Sequence, residues 1–223
     1  MSLWTVAANG TYTTQNFGPF PNWQVNNIAS GGDNLIRMLW YNFVDHSISI
    51  WTVQANGSYT AQNYGPFDNG AWQANNIDVG PDNKIRLAWT NAVTGQGSIW
   101  TITSPGVYTA ETYGPFAGWT LGGCGVSVDN KTYVAWFTQA QDQVSLWQLT
   151  GGGTYNTHNY GPIAGWRPFG GSAGTANVAN LLWKQNSDNT ASLWTIDWPT
   201  GGYTAETYGP FTGWTPRQVT SAQ

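Results

Sequence analysis

One aromatic pattern, repeated five times, limits what this chain can fold into. The tag YGPF-x-G-W or a near variant occurs at residues 17–23, 64–72, 113–119, 160–166 and 208–214. Upstream of each copy stands S-[LI]-W, with its Trp at 4, 51, 100, 147 and 194, so the spacings are 47, 49, 47 and 47 residues. A third marker, two apolar residues and a Trp, ends at Trp40, Trp89, Trp136 and Trp183. Fourteen of the fifteen tryptophans belong to this pattern, and Trp198 alone falls outside it. A period in the high forties means repeat architecture, read before any other signal. A unit of that size buries little core alone, so the copies must pack on one another as one domain over 1–223, with repeats starting near 2, 49, 98, 145 and 192.

Each copy reads as four short strands. In the second, Ser49 to Val53 alternates and residues 55–58, Ala-Asn-Gly-Ser, supply a hairpin turn. Tyr59 to Tyr64 follows, and Gly65-Pro66 ends it by removing a ladder donor. Gln73 to Val79 and Lys84 to Trp89 are the third and fourth strands. Asn34, Asn83, Asn130 and Asn177 each stand six residues before the fourth-strand Trp, where Asn suits a left-handed turn position. Asp33, Asp82 and Asp129 precede three of them; one Asp per loop gives too few oxygens for calcium, so they too read as turn residues.

Fourth-strand apolar residues fall on both faces: Ile85, Leu87 and Trp89 on one, Ala88 on the other. A sheet of this kind is covered on both sides. The third strand carries small or polar pairs, Asn26-Asn27, Asn75-Asn76 and Gly122-Gly123, as suits an innermost strand where sheets crowd round an axis. The expected fold is all-β, a five-bladed β-propeller of four-stranded repeats. A linear stack or a β-prism-like barrel would leave broad apolar ends to cap. The last blade is expected to combine 1–20, as outer strands, with 215–223 as inner strand; no fourth-type strand is left for it. A three-stranded blade, a different strand order or a second chain would each account for that.

The segment SIWTVQANGSYTAQNYGPFDNGAW followed by NIDVGPDNKIRLAW resembles bacterial Trp-rich propeller repeats and, more loosely, the propeller lectins of the tachylectin and Photorhabdus types. The likeness spans residues 2–222. It implies a sugar-binding protein with several similar shallow pockets on or between blades, and carries over no residue-level sugar motif.

Charge narrows the function. Only 8% of residues are charged, the net charge is −4, and no Lys/Arg cluster exists to hold a nucleic-acid backbone or an anionic membrane. Lone Cys124 excludes an intrachain disulfide and aligns with Ile28 and Ile77 as an apolar filler. No charged and apolar leader and no bilayer-length apolar run is present, so a soluble protein is expected, its compartment open with secretion or a cell surface included; a monomer or small homo-oligomer is expected. Glu111 and Glu206 share one repeat position with Gln15, Gln62 and His158, which reads as a solvated strand site and not a catalytic pair. His46 beside Asp45 has no second His nearby for a metal.

No catalytic residue, metal or cofactor is therefore expected. A pyranose needs an aromatic plate and a few fixed polar groups. Candidate plates are Trp23, Trp72, Trp119, Trp166 and Trp214 after each Gly-Pro turn, with Phe20, Phe67, Phe116 and Phe211 nearby. Candidate amide partners in the adjoining polar loops are Asn42, Asn91, Gln139 and Gln185. The Trp of the other two markers read as packing between blades. Glycans or glycoconjugates are the expected partners, with a protein–protein scaffold as second reading and a glycoside hydrolase as third.

Overall fold

The computed structural model describes residues 1–67, 70–138, 140, 142–213 and 219, and contains no α-helix among them. Two strands, β1 (Ser2–Val6) and β2 (Tyr12–Asn16), pair at the N-terminus. Four antiparallel four-stranded sheets follow. The first holds β3 (Trp23–Ser30), β4 (Ile36–Asn42), β5 (Ile48–Val53) and β6 (Tyr59–Tyr64). The second holds β7 (Trp72–Val79), β8 (Ile85–Asn91), β9 (Gln96–Ser104) and β10 (Val107–Tyr113). The third runs through β11 (Thr120–Val126), β12 (Thr132–Thr138), β13 (Gln143–Gly151) and β14 (Thr154–Tyr160). The fourth comprises β15 (Trp166–Ala173), β16 (Val178–Gln185), β17 (Ala191–Asp197) and β18 (Gly202–Tyr208). The arrangement is that of a propeller. Each sheet takes its inner two strands from the end of one sequence repeat and its outer two from the start of the next.

Local chemistry sets the turns. Asn34, Asn83, Asn130 and Asn177 have φ of 58°, 57°, 62° and 59°, the left-handed conformation read from the sequence. Two of their amides also reach back to the preceding sheet: Asn83 Oδ1 accepts from Asp33 N at 3.1 Å and Asn130 Oδ1 from Asp82 N at 2.9 Å. Asp33 and Asp82 hold Arg37 and Arg86 in two-pronged pairs, with closest contacts of 2.6 and 2.8 Å. The Arg37 hydrogen bond draws the Asp33 carboxyl below its ordinary range. Both arginines are buried and brace these turns.

Sheets pack face to face. On β4, Met38 and Trp40 join Leu3 and Phe17 of the N-terminal hairpin, while Leu39 and Tyr41 join Ile77, Leu87 and Trp89 of the second sheet. Ala88 and Ile99 then meet Leu121, Trp136 and Trp147 of the third. Ala135 and Leu146 meet Leu181, Trp183 and Trp194 of the fourth. The period-two alternation thus supplies two apolar faces per sheet.

The third-type strands β3, β7, β11 and β15 lie side by side as the inner strands. Each has a bulge, at the small or polar pair in β3, β7 and β11 (between Val25 and Asn27, Ala74 and Asn76, Leu121 and Gly123) and at Phe169 in β15, between Pro168 and Gly170. Side chains there bond to the neighbouring backbone: Asn26 Nδ2 donates to Ala74 O at 3.0 Å, and Asn76 Oδ1 accepts from Cys124 N at 3.2 Å. Cys124 is buried, and burial pushes its thiol pKa well up, as for a filler.

Asp78 on β7 is the inner-strand carboxylate with the most exacting surroundings. It accepts from Val126 N at 2.7 Å and Val79 N at 2.9 Å. Burial pushes its pKa up to about 6, opposed by those amides and by Arg86. The folded chain therefore holds this proton more tightly than the unfolded chain, where Asp titrates near ~3.9. Its contribution to stability is full below about pH 4 and is lost as pH rises through about 6. Asp78→Asn should remove that loss. Urea unfolding from pH 4 to 8 should show the variant gaining on the parent by up to about 3 kcal/mol; a pH-independent difference would refute the assignment.

Candidate functional site

Between successive sheets the Gly-Pro-Phe crossover drops a phenyl ring onto two indoles. Phe67 meets Trp89 edge-on at 4.6 Å and Trp100 at 5.7 Å between ring centres. Phe20 stands in the same way on Trp40 and Trp51, at 5.4 and 5.2 Å, and Phe116 on Trp136 and Trp147, at 5.1 and 5.5 Å. The outer indole of each pair carries a stacked tyrosine: Trp51 on Tyr59 at 3.9 Å, Trp100 on Tyr108 at 4.0 Å, Trp147 on Tyr155 at 3.6 Å. Each crossover also contains a cis Gly-Pro peptide.

These rings line a pocket that recurs at three junctions. Phe20, Trp23, Trp40, Ser49 and Trp51 line one of about 230 Å³. Phe67, Trp72, Trp89, Ser98 and Trp100 line one of about 300 Å³. Phe116, Trp119, Trp136, Ser145 and Trp147 line one of about 150 Å³. Such volumes lie at or below the ~300–1,000 Å³ of sites for drug-sized ligands, so each suits one small ring. No carboxylate, histidine, lysine or arginine is among the lining residues of these pockets. Among the described residues no group of three His, Cys, Asp or Glu stands close enough to hold a metal.

The two indoles of a pair differ in their N–H groups. Trp51 Nε1 donates to Ser49 Oγ at 3.0 Å and Trp147 Nε1 to Ser145 Oγ at 2.8 Å. The N–H groups of Trp40, Trp89, Trp136 and Trp183 are buried and have no partner among the described residues. An unmet buried donor costs about 1–3 kcal/mol. Its recurrence at one repeat position is systematic, and three of the four tryptophans are pocket walls.

The structure brings together Trp23 with Phe20, Trp72 with Phe67 and Trp119 with Phe116, as the sequence proposed. Trp166 is half-buried and packs, with Ile163, on the core between the third and fourth sheets. Phe211 is exposed, while Trp214 and Gln139 lie outside the described residues. Asn42 and Asn91 are buried turn-makers: their Oδ1 atoms accept from Val44 N at 2.9 Å and from Val93 N and Thr94 N at 3.0 and 2.9 Å. Gln185 is half-buried and its backbone N donates to Thr190 O, closing the loop after β16. The indoles of the other two markers pack in the cores between sheets, as expected, and with the serines of S-[LI]-W they also line these pockets.

The position of Glu111 is also not simply solvated. Glu111 accepts from Tyr113 Oη at 2.6 Å and from Gly152 N, in the next sheet's outer turn, at 3.0 Å. Gln15 reaches Ala55 O at 2.9 Å and His158 Nε2 lies 2.8 Å from Trp198 O, so this position clasps adjacent sheets at the rim. Trp198, outside the repeat, packs edge-on against Tyr133 and His158.

No protein-family profile and no curated protein matches the chain, so sequence relatives lend nothing to the lectin resemblance. Solved structures do match in fold. A Bacteroides caccae protein of unknown function is 10% identical, with TM-score 0.55, covering 90% of this chain and 65% of its own. A Lactobacillus plantarum protein is 13% identical, TM-score 0.55, with 92% and 64% covered. The periplasmic gluconolactonase PpgL of Pseudomonas aeruginosa is 14% identical, TM-score 0.56, with 92% and 62% covered. The chain thus spans somewhat under two thirds of each of these structures. At such identities the likeness is one of fold alone.

Proposed function

We propose that the chain is a multivalent carbohydrate-binding propeller, with neutral glycans as its ligands. The observation that carries this is the recurrence, at three junctions, of an uncharged pocket walled by a Phe, three indoles and a Ser. Indole faces suit the C–H face of a pyranose. Lack of a carboxylate in these walls supports binding over hydrolysis, which needs two carboxylates flanking the bond. The gluconolactonase's activity is not carried over at 14% identity.

The ring that this reading supposes has five blades, with β1–β2 as the outer strands of the last. Supporting it, Trp4 stacks on Tyr12 at 4.6 Å as the other outer indoles do on their tyrosines, yet is 56% exposed. Tyr208 and Phe211 are 45% and 41% exposed, where Tyr113 and Tyr160 are buried. Closure would put Tyr208 and Phe211 beside Trp4; the inner-strand segment 215–223 proposed for this blade lies outside the described residues, apart from residue 219.

A glycan array tests the function. Binding that a free monosaccharide inhibits is expected, and Trp72→Ala should weaken it about tenfold in single-site affinity while the circular-dichroism spectrum persists. Absence of any sugar-inhibited binding, with protein partners captured instead, would replace the lectin by an interaction scaffold. Collapse of the fold in Trp72→Ala would move that indole from the site to the core.

A further inference from the structure

The junction between the second and third sheets differs from the one before it. In the loop joining β4 to β5, His46 sits at φ 61°, its Nδ1 2.7 Å from Tyr41 Oη. A Cβ placed on Gly70, across the junction, would come within 2.8 Å of that imidazole ring. In the loop joining β8 to β9 the same two places hold Thr90 and Gly95, the latter at φ 70°. A Cβ placed on Gly118, in the third-sheet crossover, would meet nothing within 4 Å. Where one junction is plugged by a ring, the next is open.

What opens there is a cleft of about 580 Å³ lined by the polar side chains of Gln73, Asn75, Thr94 and Thr120, with Trp119 as an aromatic wall; the Asn91 side-chain oxygen, also at its edge, is taken by its own turn. Trp119 also lines the small aromatic pocket of the same junction. The two spaces thus share one indole. Asn75 is oriented by its Nδ2 donating to Thr90 Oγ1 at 2.9 Å, which in turn donates to Leu121 O at 2.9 Å. No charged side chain lines the cleft. Amides and hydroxyls beside an aromatic plate, in a space of this size, match a second neutral sugar unit.

We propose that this junction is an oligosaccharide site, with one unit in the aromatic pocket and the next in the cleft across Trp119. The junction plugged by His46 takes a terminal unit only. The proposal rests on the glycan reading above.

Its test uses ladders of one to four units of neutral β-1,4-glucan, α-1,4-glucan, β-1,4-linked N-acetylglucosamine and α-mannan, titrated calorimetrically into the whole chain. For a ladder whose monosaccharide binds, the disaccharide should bind one class of site at least tenfold more tightly. Gly95→His, which copies the neighbouring loop, and Gln73→Ala, at an exposed position, should each abolish that gain and leave monosaccharide affinity unchanged. Monosaccharide binding with no gain on lengthening, or a gain that survives both substitutions, would overturn this proposal and spare the glycan reading. Binding of no ladder member would overturn both.

Discussion

Gly125→Val is expected to cost the fold about 3 kcal/mol, near the upper end of overpacking effects. Gly125 lies on inner strand β11, where a Cβ would press on the backbone of Ser172 and Ala173 on β15, 2.7 Å from Ser172 Cα and closer still to Ala173 N. Backbone cannot rotate aside as a side chain can, so the two strands must part. The Asp78 and Asn76 bonds to β11 would be strained in consequence. For a chain of this size the loss corresponds to a fall of roughly 10 °C in Tm. Gly202→Ala is the control, since its Cβ meets only Thr200 Oγ1, at 3.2 Å. Equal Tm values for the two variants would show that the inner strands do not approach as described.

Replacing Trp23, Trp72 and Trp119 together by Ala is expected to lower binding to an immobilised glycan by two orders of magnitude or more. Each substitution removes one aromatic wall from one pocket, about 1.4 kcal/mol or tenfold per site. Avidity multiplies those losses, because several weak sites on a rigid body raise apparent affinity by roughly 10²–10⁴. The three indoles are half-buried, so some stability is lost as well. Surface plasmon resonance on a dense glycan surface, beside urea unfolding of the same preparations, separates the two effects. Undiminished binding by a folded triple variant would place recognition elsewhere.

Much of this fold is legible in the residues, because each strand type carries its own punctuation. The Asn that starts each fourth strand declares a left-handed turn, and the Gly-Pro dipeptide ends each second strand. Small pairs such as Gly122-Gly123 mark where inner strands crowd. The site is legible only in part. Trp72 and Phe67 are recognisable as a pair by proximity, but Trp89 and Trp100 look like ordinary packing residues, and they are also that. Whether an indole is wall or filler depends on how deeply the crossover phenyl descends, a matter of a few ångströms that no spacing encodes. Asn91 misleads for a related reason: Asn in a polar loop serves a ligand or its own backbone equally well, and here the turn amides claim it. Gly95 and His46 occupy equivalent places, yet only packing reveals that one opens a cleft which the other fills.

Multivalent recognition stands or falls on how many sugars one chain holds. Native mass spectrometry of the intact chain, titrated with the monosaccharide that best inhibits glycan-array binding, counts them directly. Three or more equivalents of similar affinity are predicted, one for each aromatic pocket. Saturation at a single equivalent, or no bound sugar at millimolar concentration, would contradict it.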